Sequence, residues 1–430
     1  MRSPDTGPVS LSRRALLGGV AGLAASQTLS GTAVAATQSS ASLSVLTRNL
    51  YLGVDLSKLF DATSMDDVRR IAGEMLDEIR THPYEARVEA IAAEIDATRP
   101  DVVGVQEAAH LRVQAESDFS EDPTPNASTT VVDLLDLLAS ALDDRGLSYD
   151  VATETVTTDI EVPAADDGGT TDVRLTDRTA LLVRSDLETT GTRSVTFDSA
   201  LRYRLQGATV AIERGFSQVD VSLDGADVAV ANAHLESADG DTRADQAAEL
   251  RDELPTDRPV VLAGDLNSGP DGPTAAYDLL TESFADPASD GESDDVATTC
   301  CQASDLRNET SELTRRVDHL LSRGDVELTG VERVGASPDS RVTADVDGES
   351  VQIWPADHAG VVATFAVPTS METATSTETA TSTETATSTK AAAETTREEQ
   401  NGSANLPLYG TAAGIGSAAL AALVWYRKRA

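Results

Sequence analysis

Pro100-Asp101-Val102-Val103-Gly104-Val105-Gln106-Glu107 reads as a strand with both of its ends marked. Proline disfavours helix in the residue before it, so Arg99-Pro100 closes whatever helix precedes. After Asp101, residues 102–105 run apolar without polar alternation, the pattern of a strand covered on both faces. Gln106-Glu107 follow at once, two polar side chains delivered where the strand leaves the core. Upstream, 84–97 carries Ala86, Ile91 and Ile95 at helical spacing, and 64–80 places Val68, Ile71, Met75, Leu76 and Ile79 near one face. A doubly covered strand next to amphipathic helices implies a sheet with helices packed on it, hence an α/β or α+β layered sandwich.

The same alternation continues along residues 41–368. Short strands are expected at 43–46, 180–183, 218–223, 228–232, 259–263, 316–321 and 361–366, and helices at 131–142 and 239–254. The polar stretch 159–172 reads as a surface loop facing substrate, a place where specificity often resides.

Polar residues recur at the strand ends: Asn49, Gln106-Glu107, Asn232-Ala-His234, Gly264-Asp265-Leu266-Asn267, Asp318 and Asp357-His358. Singly, each has an ordinary explanation as a cap, a turn or a satisfied core residue. As an ordered set, Thr47-Arg-Asn49, Pro100 to Glu107, Asn232-Ala-His-Leu-Glu236, Gly264-Asp-Leu-Asn267, Arg316-Val-Asp318 and Asp357-His358 resemble the endonuclease/exonuclease/phosphatase superfamily, which includes deoxyribonuclease I. The resemblance spans nearly all of 41–368, and Asn49 to Leu56 with Thr299-Cys-Cys-Gln302 look like a secreted, halophilic microbial branch of it.

That resemblance implies a four-layer sandwich of two packed mixed β-sheets flanked by helices, with the site at one rim. It also implies hydrolysis of phosphoesters with Mg²⁺, for which Mn²⁺ or Ca²⁺ could stand in. Hard oxygen ligands suit such an ion. Glu107 would be the principal ligand, with Asn49 and Asp357 assisting. Asp265 would orient or deprotonate the attacking water, and Asn267 would hold that water or a phosphate oxygen. His234 and His358 are the candidates for acid–base work, with Asp318 the partner of His358. Asp172 and Asp177 are weaker suggestions as the partner of His234. Arg48 and Arg178 are candidate phosphate contacts.

Composition narrows the partners. With 72 acidic residues against 33 basic, the net charge is -39, so no global basic field draws the chain to nucleic acid. The only lysines are Lys58, Lys390 and Lys428. Extreme acidity with so little lysine resembles proteins of salt-loving microbes, since at 1 M salt the Debye length falls to about 3 Å. Cys300 and Cys301 alone exclude a disulfide framework, and they read as a vicinal disulfide or two buried thiols.

The ends read as addresses. Residues 1–36, with Arg13-Arg14, an apolar run and Ala33-Val34-Ala35, resemble a twin-arginine export signal. Residues 369–405 repeat Glu-Thr-Ala-Thr-Ser-Thr and read as a disordered stalk. Asn126, Asn308 and Asn401 head glycosylation-type triplets. Residues 406–426 are uncharged and near the length that spans a bilayer, ahead of a basic tail, 427–430.

The sequence therefore predicts an exported phosphodiesterase, anchored to the cytoplasmic membrane by its C-terminus with the catalytic domain outside. Its substrate would be nucleic acid, a lipid headgroup or a sugar phosphate, and no protein partner is indicated. A phospholipid or sugar-phosphate phosphodiesterase or phosphatase is the alternative. A non-catalytic binding module is the alternative of another class, against which the intact motif set speaks.

Overall fold

The computed structural model describes residues 39–205, 208–288 and 298–369, all within the unit Met1–Glu372. The chain opens with β1 (Ser40–Asn49), α1 (Met65–Thr81), α2 (Tyr84–Thr98) and β2 (Val102–Gln106). β3 (His110–Ala115), β4 (Thr129–Asp133) and α3 (Leu134–Asp144) lead to a long hairpin, β5 (Tyr149–Asp166) and β6 (Gly169–Arg184). Next come β7 (Glu188–Thr196), a small hairpin β8 (Leu201–Leu205) and β9 (Ala208–Ile212), β10 (Gly215–Leu223) and β11 (Ala226–His234). α4 (Gly240–Glu253), β12 (Val260–Asp265), α5 (Ala275–Thr281) and β13 (Asp318–Arg323) follow. β14 (Glu327–Val334), a second small hairpin β15 (Val342–Val346) and β16 (Glu349–Ile353), and β17 (Gly360–Pro368) end the fold.

Two mixed sheets result, one in the order β14-β17-β1-β2-β6-β3-β4 with β5 also on β6, the other in the order β13-β12-β11-β10-β7. Their facing sides bury Val45, Val102, Leu181, Val230, Ala263, Leu320 and Phe365 in one apolar layer. The outer face of the larger sheet packs on α1, α2 and α3, and that of the smaller on α4 and α5. This is the expected four-layer α/β sandwich.

Local chemistry sets the element ends. Arg99 closes α2 in the left-handed conformation (φ 47°) just before Pro100. Ser64 caps α1 by accepting from Asp67 N, and Asp239 caps α4 by accepting from Thr242 N.

Two expectations are corrected. The helix read over 131–142 begins only at Leu134, because the Asp133 carboxylate accepts from Leu135 N and Asp136 N and so fixes the start, leaving Val131 and Val132 in β4. The loop read over 159–172 is the β5–β6 hairpin, turned at Asp167 (φ 41°) and Gly168 (φ 82°). Both turn residues have positive φ, which an Asp-Gly pair accommodates.

The anchored, cell-surface localisation is also corrected. Among the described residues no helix is long and apolar enough to cross a membrane. The 17-residue α1 is shorter than the roughly 20 residues a span needs and carries acidic and basic side chains along its length. The leader 1–36, nearly all of the stalk 369–405, the segment 406–426 and the tail 427–430 lie outside the described residues, as does Asn401. Asn308 lies within them, but its amide donates to Gln302 Oε1 (2.7 Å) and Thr310 O (2.8 Å), so its nitrogen is committed internally.

The sheets are joined by polar bonds as well as by the apolar layer. Asn232 of β11, fully buried, donates to Val105 O of β2 (2.8 Å) and Ala180 O of β6 (3.0 Å) and accepts from Gln106 Nε2. Gly104 leaves the space this amide fills, since a Cβ there would lie 2.8 Å from Asn232 Cγ. Asn232→Leu strands these buried partners, and we expect a loss of about 3 kcal/mol in denaturant unfolding. A loss under about 0.5 kcal/mol, the range of ordinary surface changes, would show that the apolar layer and the other inter-sheet bonds, such as Ser217 Oγ to Thr179 O (3.1 Å), register the sheets without Asn232.

Candidate functional site

The smaller sheet puts three polar side chains on one rung. His234 of β11 lies opposite Asp265 of β12, and Asp265 opposite Asp318 of β13. Register partners share a face, and residues two apart along a strand share it too. Val230, Ala263 and Leu320 belong to the layer between the sheets, so this rung points to the same side, at its rim. Gly264 permits the close strand approach beneath it, because a Cβ there would sit 2.3 Å from Ala233 O.

The larger sheet contributes from the other side. Asn49 ends β1 opposite Gln106 of β2. Glu107 then turns left-handed (φ 51°), as Asn267 does after β12 (φ 47°). Such backbone is costly for non-glycine residues and collects at functional sites. Glu107 Oε2 accepts from Leu52 N (2.9 Å) and Oε1 from Asn49 Nδ2 (3.1 Å).

Asp265 Oδ2 is the point where the two halves meet. It accepts from Asn49 Nδ2 at 3.1 Å and lies 3.6 Å from His234 Nε2 and 3.8 Å from His358 Nε2. Oδ1 accepts from Asn267 N at 2.9 Å. Burial pushes the Asp265 carboxyl up to about 6; His358 opposes the rise and Asp318 adds to it. A carboxylate titrating there can take a proton near neutrality.

The two imidazoles differ in charge. Burial would lower His358, but Asp318, Asp357 and Asp265 outweigh it and hold the ring well above its ordinary value. Asp318 Oδ2 accepts from its Nδ1 at 2.8 Å, as expected from the sequence. His234 is held well below its ordinary value by burial and by the charges of Arg214 and His358. Arg214 Nη1 donates to His234 Nδ1 (3.0 Å) and to Asp177 Oδ2 (3.3 Å). Since guanidinium only donates, Nδ1 accepts and the proton of the neutral ring sits on Nε2. Asn267 Nδ2 donates to Leu235 O (3.0 Å) and is 3.3 Å from that Nε2. Its second N–H and the imidazole N–H thus converge, ready for one shared acceptor oxygen.

The sequence missed Arg214. Its position follows from Gly215 pairing opposite His234 across β10 and β11, and nothing local to Arg214 signals that register. Of the two suggested partners for His234, Asp177 is reached through Arg214. Asp172 is elsewhere, accepting from Ser117 Oγ and Asp118 N.

Two further expectations are corrected. Arg48 and Arg178 do not face a substrate. Alternation along β1 puts Arg48 on the helix side, where it is fully buried, pairs with Glu94 (3.0 Å) and donates to His358 O. Arg178 is 8% exposed and donates to Ala108 O (2.8 Å) and Asp133. Asn49 is placed at the site, where its oxygen accepts from Tyr51 N (2.8 Å) and its amide nitrogen donates to both Glu107 and Asp265.

Glu107 and Asp357 offer oxygen donors of the kind that suits a hard divalent cation. Asp357 Oδ1 is buried without a hydrogen-bond partner, and burial, with the charge of Glu107 adding and His358 opposing, pushes its carboxyl up to about 7. A carboxylate so disfavoured by its surroundings is one a cation would relieve.

A sequence model of the Endonuclease/Exonuclease/phosphatase family matches residues 76–358. No curated protein matches the chain by sequence. Among solved structures, an endonuclease/exonuclease/phosphatase family protein of Bacteroides thetaiotaomicron is 16% identical, covering 76% of this chain and 99% of its own, with a TM-score of 0.48. The mannosyl-6-phosphatase Bt3783 of the same species is 16% identical over 75% and 99%, TM-score 0.46. A D. rerio TDP2 complexed with a single-strand DNA product is 17% identical over 75% and 98%, TM-score 0.40. At these values the likenesses carry no argument about substrate.

The raised carboxyls have a definite pH signature. In acid, both folded and unfolded chains hold these protons and the groups cost nothing. As pH rises from about 4, the unfolded chain releases them first, so the folded state loses stability until Asp265 and Asp357 have ionised, at about 6 and about 7. A cation offsets that loss only where the groups are ionised. Calorimetry with and without chelator should show Mg²⁺ raising Tm by several degrees at about pH 8 and little at about pH 5. Equal shifts at both would remove Asp357 from the metal site. Arg214→Met should raise the His234 pKa, read from its ring NMR signals. An unchanged titration would show that burial alone keeps the ring neutral.

Proposed function

The chain belongs to the endonuclease/exonuclease/phosphatase family, and we propose that it hydrolyses phosphodiesters with a divalent metal, Mg²⁺ foremost. The observation that carries this reading is Asp265 Oδ2 lying between His234 Nε2 (3.6 Å) and His358 Nε2 (3.8 Å), one ring neutral and the other cationic. In-line attack on phosphorus needs a base for the water, donors for the phosphoryl oxygens and an acid for the leaving oxygen.

Asp265 is the base, held in place by Asn49 Nδ2 and Asn267 N. His234 Nε2–H and Asn267 Nδ2–H hold one phosphoryl oxygen. His358, its Nδ1 tied to Asp318, carries the Nε2 proton that the leaving oxygen receives. Mg²⁺ bound to the Glu107 and Asp357 carboxylates would supply neutralisation of phosphate charge there.

With Mg²⁺ bound, the charges of Glu107, Asp177, Asp265, Asp318 and Asp357 are balanced by the ion, His358, Arg214 and Arg87, so turnover, not site charge, decides between diester and monoester. The acidic composition supports work in concentrated salt, which screens the self-repulsion of such a chain.

The test is hydrolysis by the full chain of a chromogenic phosphodiester, its monoester, DNA, RNA and a phospholipid, with Mg²⁺ or chelator, at low and molar salt. Diester turnover should exceed monoester turnover and vanish with chelator. Monoester turnover alone would overturn the diester reading, and none on any substrate would overturn the enzyme. Asp265→Asn should lower kcat by about 10²–10⁴ while leaving Tm equal or higher, because burial already disfavours the carboxylate. A large fall in Tm with kcat preserved would make Asp265 structural.

A further inference from the structure

Cys300 and Cys301 are joined as a disulfide beside the proposed acid. Cys300 bridges to both Arg315 and His358, pinning the pair between the approach to β13 and the turn that carries the histidine. Cys301 Sγ is 3.7 Å from His358 Nε2, the nitrogen that faces Asp265. Hydrolysis by water gives these sulfurs no task.

We propose that, once reduced, Cys300, Cys301 and His358 form a site for one thiophilic divalent cation of the Zn²⁺ or Cd²⁺ class, separate from the oxygen donors Glu107 and Asp357, and that filling it stops hydrolysis. The stopping effect rests on the phosphodiesterase reading, whereas the binding does not.

The three ligands are neighbours along the fold. The two sulfurs and an imidazole nitrogen lie within 4.8 Å of one another, and reduction frees the bonded sulfurs to part to the roughly 3.8 Å that two bonds of about 2.3 Å to one tetrahedral ion require. Two thiolates and an imidazole are softer than the carboxylates near Asn49, which separates the two sites by metal preference. Asp318 accepting from His358 Nδ1 is the support that fixes a histidine with Nε2 toward a metal. Arg315 Nη2 lies 3.4 Å from Cys300 Sγ and 3.7 Å from Cys301 Sγ, where a cation favours thiolate over thiol. Asp265 Oδ2, 3.8 Å from Nε2, is within reach as a fourth donor.

The chemistry balances with a phosphine as reductant. The disulfide gains two electrons and two protons, and the phosphine becomes its oxide with oxygen from water. The cation then displaces the two thiol protons and the proton on His358 Nε2. The leaving oxygen loses its proton donor in the same event.

The full chain, oxidised or phosphine-treated and freed of phosphine, is titrated with Cd²⁺ while the thiolate-to-metal charge-transfer band is followed. One Cd²⁺ per reduced chain should bind, Zn²⁺ should displace it, and the oxidised chain should show no band. Comparing the two forms of the wild-type chain decides binding without any variant having to fold. Cys301→Ser should weaken binding by about tenfold or more, and a Cys300→Ser/Cys301→Ser chain should lose the band. With excess Mg²⁺, equimolar Zn²⁺ should inhibit the reduced wild type and leave the double variant active. A reduced, folded chain with two free thiols and no band overturns the site, as does an equal band in the oxidised form. Equal inhibition of wild type and double variant overturns the blocking role. If the chain hydrolyses nothing, the Cd²⁺ titration still decides the site.

Discussion

A buried amide ties the two sheets together at a fixed register. Asn232 on the smaller sheet donates to carbonyls on two strands of the larger, β2 and β6, in the space that Gly104 leaves free. Apolar side chains would tolerate small slides between sheets, since dispersion contacts have little direction. Hydrogen bonds to fixed carbonyls do not, because an unmade bond in that interior is expensive. Two residues beyond Asn232 on β11 is His234; just beyond Val105 on β2 are Gln106 and Glu107. Fixing the first pair of positions therefore fixes the second, and the rims of both sheets meet at Asp265.

From that alignment the electrostatics follow. Asp265 sits between two imidazoles whose second nitrogens have opposite partners, a carboxylate for His358 and a guanidinium for His234. Each partner decides which nitrogen carries a proton. The site thus holds a cationic donor and a neutral donor around one carboxylate, without moving any backbone.

The layers, the strand ends and most site residues were legible in the sequence because they depend on local pattern: apolar runs, stops such as Arg99-Pro100, and motifs at strand termini. Arg48 could have been set aside by the same reasoning, since alternation from Leu46 puts it on the helix side with Asn49 on the other. The β5–β6 hairpin also had a local signal in Asp167-Gly168, masked by the polarity of its flanks. What could not be read was set by partners distant in the chain. Arg214 depends on the register of β10 against β11. The direction of the Asn49 amide depends on Glu107 and Asp265 arriving from other strands. The burial of Arg178 depends on Asp133 closing over it.

The rung formed by His234, Asp265 and Asp318 has a bearing on how such a protein can diverge. All three lie within paired strands, where inserting or deleting a residue would turn the following side chains to the wrong face. The hairpins β8–β9 and β15–β16 pair only within themselves, so a change of length at their tips leaves the pairing of the two main sheets untouched. Novelty in the ligand accepted can then accumulate by grafting and trimming hairpins. The reacting groups change only by point substitution, and the two histories need not be correlated.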